Sequence, residues 1–282
     1  MDEARRTAIP GLPPRNDGTS DARGRKMADA LGALFKWAMR HRRKFLDANP
    51  CLGGYRPNPP VARDRVLNFR FDVRRADELR WFWSSCDAVG EPFGALLKLL
   101  LLTGCRLSEI ARMTRGELSD DLATLRLPRE RTKNNRPHDV PLAPMARAIL
   151  KTVPRIDGCP YVFTTDGRTA VSPGSKLKRR LDAAMLAEAE KECGDDATIA
   201  PWRLHDLRRS AASGMAAIGI PPHIVEACLN HISGAKSGVA GIYNVEQYEP
   251  EKRAALARWA DHIEGLVSGK RAKVIPLRGG IV

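Results

Sequence analysis

Phe93-Gly94-Ala95-Leu96-Leu97-Lys98-Leu99-Leu100-Leu101-Leu102-Thr103-Gly104-Cys105-Arg106-Leu107-Ser108-Glu109-Ile110 is the stretch that decides the fold. Its leucine-rich part predicts an apolar helix that Gly104 closes, and a second helix begins around Ser108. Arg106 therefore stands at a helix-helix junction, where its guanidinium reaches out of a rigid corner, and Glu109 is spaced to orient it. The apolar run from 93 to 103 is broken by Lys98 and falls far short of the roughly 20 residues needed to cross a bilayer. No transmembrane segment is expected.

Outward from this stretch the chain alternates helical and turn signals. Helices are predicted over 76–88, 92–102 and from Arg106 through Met113. Short strands at 123–127 and 139–142 flank a polar loop at 129–138 and make a β-hairpin. Helices follow at 144–152 and 175–193, with a short strand at 161–163 between them. Gly219 and Pro221-Pro222 separate a helix at 205–218 from one at 223–229. The last helix, 251–267, puts Leu256, Trp259, Ile263 and Leu266 on one face, to pack in its own core or on a neighbouring protomer. The expected fold is mainly α with a small antiparallel β-hairpin sheet.

The N-terminal part differs. Residues 1–25, rich in proline, glycine and alternating charge, read as a disordered leader. The segment 26–48 carries an amphipathic helix with Met27, Leu31, Leu34, Phe35 and Met39 at helical spacing. Residues 49–68, dense in proline and glycine, read as a linker to a domain over 69–268, and 269–282 as a flexible tail.

A formal net charge of +14 favours a polyanionic partner such as nucleic acid. A membrane surface ranks lower, because the basic residues are dispersed rather than clustered. The first residues lack a secretory signal, so a cytoplasmic location is expected. Six cysteines without a Cys-x-x-Cys pair suggest neither zinc nor disulfides, and are expected to be reduced and buried. His41, His138, His223 and His262 lack metal-ligand spacing.

The chemistry concentrates at a few positions. His205 and Arg208, spaced i and i+3, share a helical face with room for one anion. Lys133 sits at the hairpin tip, His231 follows the next helix, and Tyr243 lies beyond it in a stretch of small residues. A phenol with a pKa of about 10 is a poor nucleophile until cationic donors surround the phosphoryl group it attacks. Tyr248 is the rival tyrosine, while Tyr55 and Tyr161 read as structural.

Taken in order, these positions carry a resemblance. They are Arg106 in Thr-Gly-Cys-Arg-Leu-Ser-Glu-Ile, Lys133 in Arg-Thr-Lys-Asn-Asn-Arg-Pro-His-Asp-Val-Pro-Leu, His205 and Arg208 in His-Asp-Leu-Arg-Arg, His231 in Leu-Asn-His, and Tyr243 in Gly-Ile-Tyr-Asn. Together they resemble the catalytic domain of tyrosine recombinases, the phage-integrase family, over about residues 70–268. The resemblance implies that fold, and site-specific DNA integration or excision for a mobile element through a covalent 3′-phosphotyrosine on Tyr243. It further implies that Arg106 and Arg208 grip the scissile phosphate and Lys133 protonates the leaving 5′-hydroxyl. His205 is the implied acid or base, and His231 a further phosphate donor. Double-stranded DNA is the implied partner, with a homotetramer on DNA, an accessory DNA-bending protein, a nucleoid location, and no cofactor, metal or ATP. The chain also lacks a Gly-x-x-x-x-Gly-Lys loop and a carboxylate cluster for two-metal chemistry.

The segment Phe35-Lys36-Trp37-Ala38 with Asn49-Pro50 resembles the last helix of the family's core-binding domain, so most of one jaw of the DNA clamp is expected to be missing. Two other readings stand beside the recombinase: a truncated DNA-binding integrase remnant without strand exchange, and a type IB topoisomerase-like enzyme.

Overall fold

The computed structural model describes residues 22–40, 46–51, 64–67, 77–231 and 248–268. The chain divides into two compact units, Met1–Asp64 and Arg65–Val282. In the first, helix α1 spans Ala22–Arg40, starting within the expected leader, and Met27, Leu31, Leu34 and Trp37 on it are exposed.

The second unit is built around one apolar helix. Helix α2 (Glu78–Val89) leads to α3 (Phe93–Thr103), where Leu96, Leu97, Leu99, Leu100, Leu101 and Leu102 are each at most 2% exposed. A helix apolar all round must be covered on every side. The cover comes from α2, α5 (Pro144–Thr152), α7 (Leu204–Ala217) and α9 (Glu249–Val267). Each such leucine contributes roughly 2 kcal/mol of hydrophobic stabilisation. The helix ends at Gly104 in the left-handed conformation, φ 64°, with its N–H donating to the Leu100 carbonyl at 3.0 Å. A Cβ there would also stand 2.7 Å from Leu229 Cδ2, so glycine is required on two counts.

Helix α4 (Leu107–Ala111) follows, then β1 (Thr124–Leu127) and β2 (His138–Pro141). The strands pair antiparallel with Leu125 opposite Val140 and Leu127 opposite His138. Leu125, Leu127 and Val140 are buried while Arg126 faces solvent, the alternation of a half-buried sheet. Helix α6 (Ser175–Cys193) packs on α2, and Trp81 donates from Nε1 to Glu192 at 3.0 Å. Helix α8 (Pro222–Cys228) completes the set.

Several expectations are corrected. No strand forms at 161–163: Tyr161 makes one isolated bridge with Thr114, and the ladder stops there because the Met113 N–H that the next pair would need donates to the Ile110 carbonyl at 3.0 Å. Within the expected linker, Leu67 is fully buried and its N–H donates to Ser210 Oγ at 2.8 Å, so this residue belongs to the core of the second unit. Of the cysteines, all free, Cys193 is exposed and Cys51 half-buried rather than buried. Among the described residues, no helix is long and apolar enough to cross a membrane.

The C-terminal helix packs in cis. Trp259 and Ile263 are fully buried in the core of their own chain, and Trp259 Nε1 donates to the Leu101 carbonyl at 2.9 Å. Gly214 in α7 makes this possible, since a Cβ there would lie 2.2 Å from Trp259 Cζ3. Gly214→Ala should therefore destabilise the fold by about 1–3 kcal/mol through overpacking. Gly116, where an added methyl would meet nothing within 4 Å, is the control. Urea unfolding that gives equal stability for both alanine variants contradicts this packing.

Candidate active site

Three chain junctions meet at one buried guanidinium. Arg208, 5% exposed, donates from Nη1 to the Gly104 carbonyl at 2.7 Å and from Nη2 to the Leu229 carbonyl at 2.6 Å. Gly104 lies two residues before Arg106, and Leu229 two before His231. Arg208 thus ties both segments to α7, whose first turn carries His205. Asp206, 2% exposed, secures the start of that helix by accepting from the Arg203 N–H at 2.8 Å.

Arg106 is the N-cap of α4. Glu109, 1% exposed, accepts from its backbone N–H at 2.8 Å and from its Nη1 at 2.7 Å, so a buried carboxylate aims the guanidinium. The orienting role expected of Glu109 is met.

The charges act on one another. Burial, followed by the Arg106 charge, pushes the Arg208 guanidinium below its ordinary range. Burial, then Arg208, lowers both His205 and His231, with Arg106 contributing to each. Both residues keep contact with solvent, and their imidazoles sit in the field of two cations, which favours the neutral form. Among the described residues no carboxylate pairs with Arg208, whose bonds go to neutral carbonyls. Glu109, whose charge also acts on Arg208, is already paired with Arg106, and a buried cation without a counter-charge of its own is costly. The arrangement can recover that cost by accepting an anion between the two guanidinium groups, which present planar donor forks suited to a phosphate.

Lys133 is exposed in the turn between the strands. Asn134 brings that turn to the cluster, donating to the Asn230 carbonyl at 2.9 Å, one residue from His231. Sequence reading missed this contact, although Asn230 at the end of α8 carries the signature of a left-handed helix stop, and its φ is 49°.

Tyr243 lies outside the described residues, as does Tyr55. The flanks of the Tyr243 segment are described. On one side the His231 N–H donates to the Glu226 carbonyl at 3.0 Å. On the other, Lys252, 3% exposed, donates to the Asp139 carbonyl at 2.7 Å and pairs with Glu249 at 3.1 Å, fixing the start of α9 on β2. Tyr248, half-buried at the N-cap of α9, sets its ring edge-on to His223 with centroids 5.5 Å apart, a packing role. Cys105 and Cys228 neighbour the cations, but burial pushes both thiols up to about 12, which leaves them un-ionised at neutral pH.

Known proteins share this sequence pattern and this fold. The sequence pattern of the "Phage integrase family" matches residues 75–249. The prophage integrase IntZ of Escherichia coli K12 is 27% identical over 264 residues, covering 90% of this chain and 59% of that protein. The prophage integrase IntA of the same strain is 29% identical over 170 residues, covering 60% and 38%. The chain thus spans less than two thirds of the length of these relatives. Among solved structures, a lambda integrase tetramer bound to a Holliday junction matches with a TM-score of 0.56 at 17% identity, covering 80% of this chain and 60% of that one. A lambda integrase (75–356) dimer bound to a COC′ core site matches with a TM-score of 0.54 at 18% identity, covering 75% and 72%.

His138 gives a pH test of this packing. It is 6% exposed, its Nε2 donates to the Cys228 carbonyl at 3.1 Å, and burial, followed by the Lys252 charge, lowers its pKa to about 3. Because the unfolded chain binds this proton more readily, the stability it contributes is complete above pH 6.5 and is lost as pH falls from there towards about 3. Unfolding free energy measured by urea should fall with acidification, and His138→Gln should lessen the slope by about 1.4 kcal/mol per pH unit in that window. An unchanged slope contradicts a neutral, buried His138.

Proposed function

Because the chain belongs to the phage integrase family, whose pattern covers most of it, we propose that it cleaves and rejoins DNA through a covalent 3′-phosphotyrosine, as a site-specific recombinase of a mobile element. The observation that carries this reading is the buried Arg208, free of a carboxylate partner among the described residues, beside Arg106 and two imidazoles held towards neutrality. Such a site binds a phosphodiester and strengthens its grip as charge builds on the non-bridging oxygens.

In the proposed reaction Tyr243 Oη attacks phosphorus, forming the O–P bond while the bond to the 5′-oxygen breaks. His205, neutral at physiological pH because its pKa is lowered, accepts the phenolic proton. Lys133 delivers a proton to the departing 5′-oxygen, and His231 donates a hydrogen bond to the phosphate. Two guanidinium forks carry the charge of the five-coordinate transition state. The phosphotyrosine retains the phosphodiester's bond energy, so a 5′-hydroxyl from another strand reverses the step. The net charge of +14 supports double-stranded DNA as the partner, and a homo-oligomer on DNA, proposed as a tetramer, follows from the need to exchange strands in pairs. The packing of α9 within its own chain means that any contact between protomers uses other surfaces than Trp259 and Ile263.

A pool of nicked duplexes with randomised cores tests the reading. The wild-type chain should form a denaturant-stable DNA adduct. Tyr243→Phe should abolish the adduct while leaving the gel shift within about twofold, because it removes only the nucleophile. An adduct that persists in Tyr243→Phe sinks the assignment of the nucleophile. A wild-type gel shift without adduct favours the binding remnant instead.

A further inference from the structure

We propose that Asn134 and Asn230 are positioning residues, a reciprocal amide clamp that holds the turn bearing Lys133 at the phosphate site; the inference rests on the reading of Lys133 as the leaving-group acid. Asn134 Nδ2 donates to the Asn230 carbonyl at 2.9 Å and to its Oδ1 at 3.0 Å, and Asn230 Nδ2 returns a bond to Asn134 Oδ1 at 3.3 Å. The two residues are the immediate neighbours of Lys133 and of His231. One side-chain pair therefore joins the groups proposed for the leaving oxygen and for the phosphate.

Nothing else among the described residues hydrogen-bonds the tip of this turn to the rest of the fold. Thr132, buried, donates to the Arg136 carbonyl at 2.7 Å and accepts from the Arg136 N–H at 3.1 Å, bonds that shape the turn without anchoring it. Asn135 takes a left-handed φ of 54° with its N–H on the Thr132 carbonyl at 3.2 Å, again a local bond. The base of the turn is fixed separately. Arg131 donates to the Arg112 carbonyl and, at 2.7 Å, to the Glu109 carbonyl, and pairs with Glu117 at 3.1 Å. Glu109 is the carboxylate that aims Arg106.

The clamp thus completes a frame. Arg131 ties the start of the turn to the helix of Arg106, and Asn134 ties its tip to the segment of His231. Leu229 and Asn230, adjacent in sequence, offer their carbonyls to Arg208 and Asn134 respectively. The left-handed φ of 49° at Asn230 turns the chain away from the helix between these two carbonyls. A flexible, exposed lysine loses much of its proton-transfer efficiency when its turn drifts, since a shift of about 1 Å costs up to 100-fold.

The test separates proton delivery from folding. The substrate is the nicked duplex recovered by wild-type adduct formation, made with either the ordinary 5′-oxygen or a 5′-bridging sulfur at the scissile phosphate. A thiolate departs without a proton, so loss of the acid is rescued by sulfur. Asn134→Ala should slow adduct formation on the oxygen substrate by about tenfold or more, a share of the roughly 100-fold or greater effect of a general acid. Its rate on the sulfur substrate should stay within about threefold of wild type, and its gel shift within about twofold. Asn230→Gly, which keeps the left-handed backbone and removes one amide, should show the same pattern more weakly. Lys133→Ala is the reference. Its rescue by sulfur without rescue of Asn134→Ala overturns the clamp alone, as does an Asn134→Ala variant unimpaired on oxygen. Failure of sulfur to rescue Lys133→Ala overturns the reading of the acid, and the clamp with it.

Discussion

Arg208 is the constraint on which the site depends. Its two terminal nitrogens hold the carbonyls that end α3 and follow α8, at 2.7 and 2.6 Å, and its own backbone belongs to α7. Two neutral carbonyls satisfy its hydrogen bonds and leave its charge in place. A carboxylate in the same position would have made a closed ion pair, stable and inert. The geometry instead keeps a buried positive charge beside a second one on Arg106, an arrangement suited to an anion that arrives with the substrate.

The scaffold serves this joint. The leucines of α3 are covered on all sides, so the residue that ends the helix is held by the core rather than by a surface loop. Gly104 admits Leu229 at close range, and Gly214 admits the indole that locks α9 across the same helix. Both glycines are thus packing devices: a methyl at Gly104 would meet Leu229 in the joint that Arg208 makes, and one at Gly214 would push α9 away from α7. On the far side of the Tyr243 segment, Lys252 reaches the Asp139 carbonyl and fastens α9 to β2.

Much of this was legible in the chain. The apolar run and its glycine stop predicted α3 within one residue at each end, and the spacing of Glu109 from Arg106 predicted their contact. The helices at 144–152 and 175–193 were read at their observed limits because their apolar spacing is regular and glycine or proline borders them. What escaped depends on contacts distant in sequence. The Asn134–Asn230 clamp spans 96 positions and each asparagine alone reads as an ordinary turn residue. Arg208 stands close enough to His205 for its charge to act on the imidazole, as their spacing predicts, but its bonds to the Gly104 and Leu229 carbonyls reach segments 104 and 21 positions away and leave no local signal. The strand at 161–163 fails because the Met113 N–H that would extend its ladder is spent on the Ile110 carbonyl at the end of α4.

The most direct measurement is a crystal structure of the chain on cleaved DNA with vanadate, an ion that adopts the five-coordinate geometry of the proposed transition state. The proposed site places Arg106 and Arg208 each within about 3 Å of the equatorial vanadate oxygens, with Tyr243 Oη on one axial position and the Lys133 ammonium beside the other. Vanadate seated elsewhere, with Arg208 bonded solely to the Gly104 and Leu229 carbonyls, would contradict it.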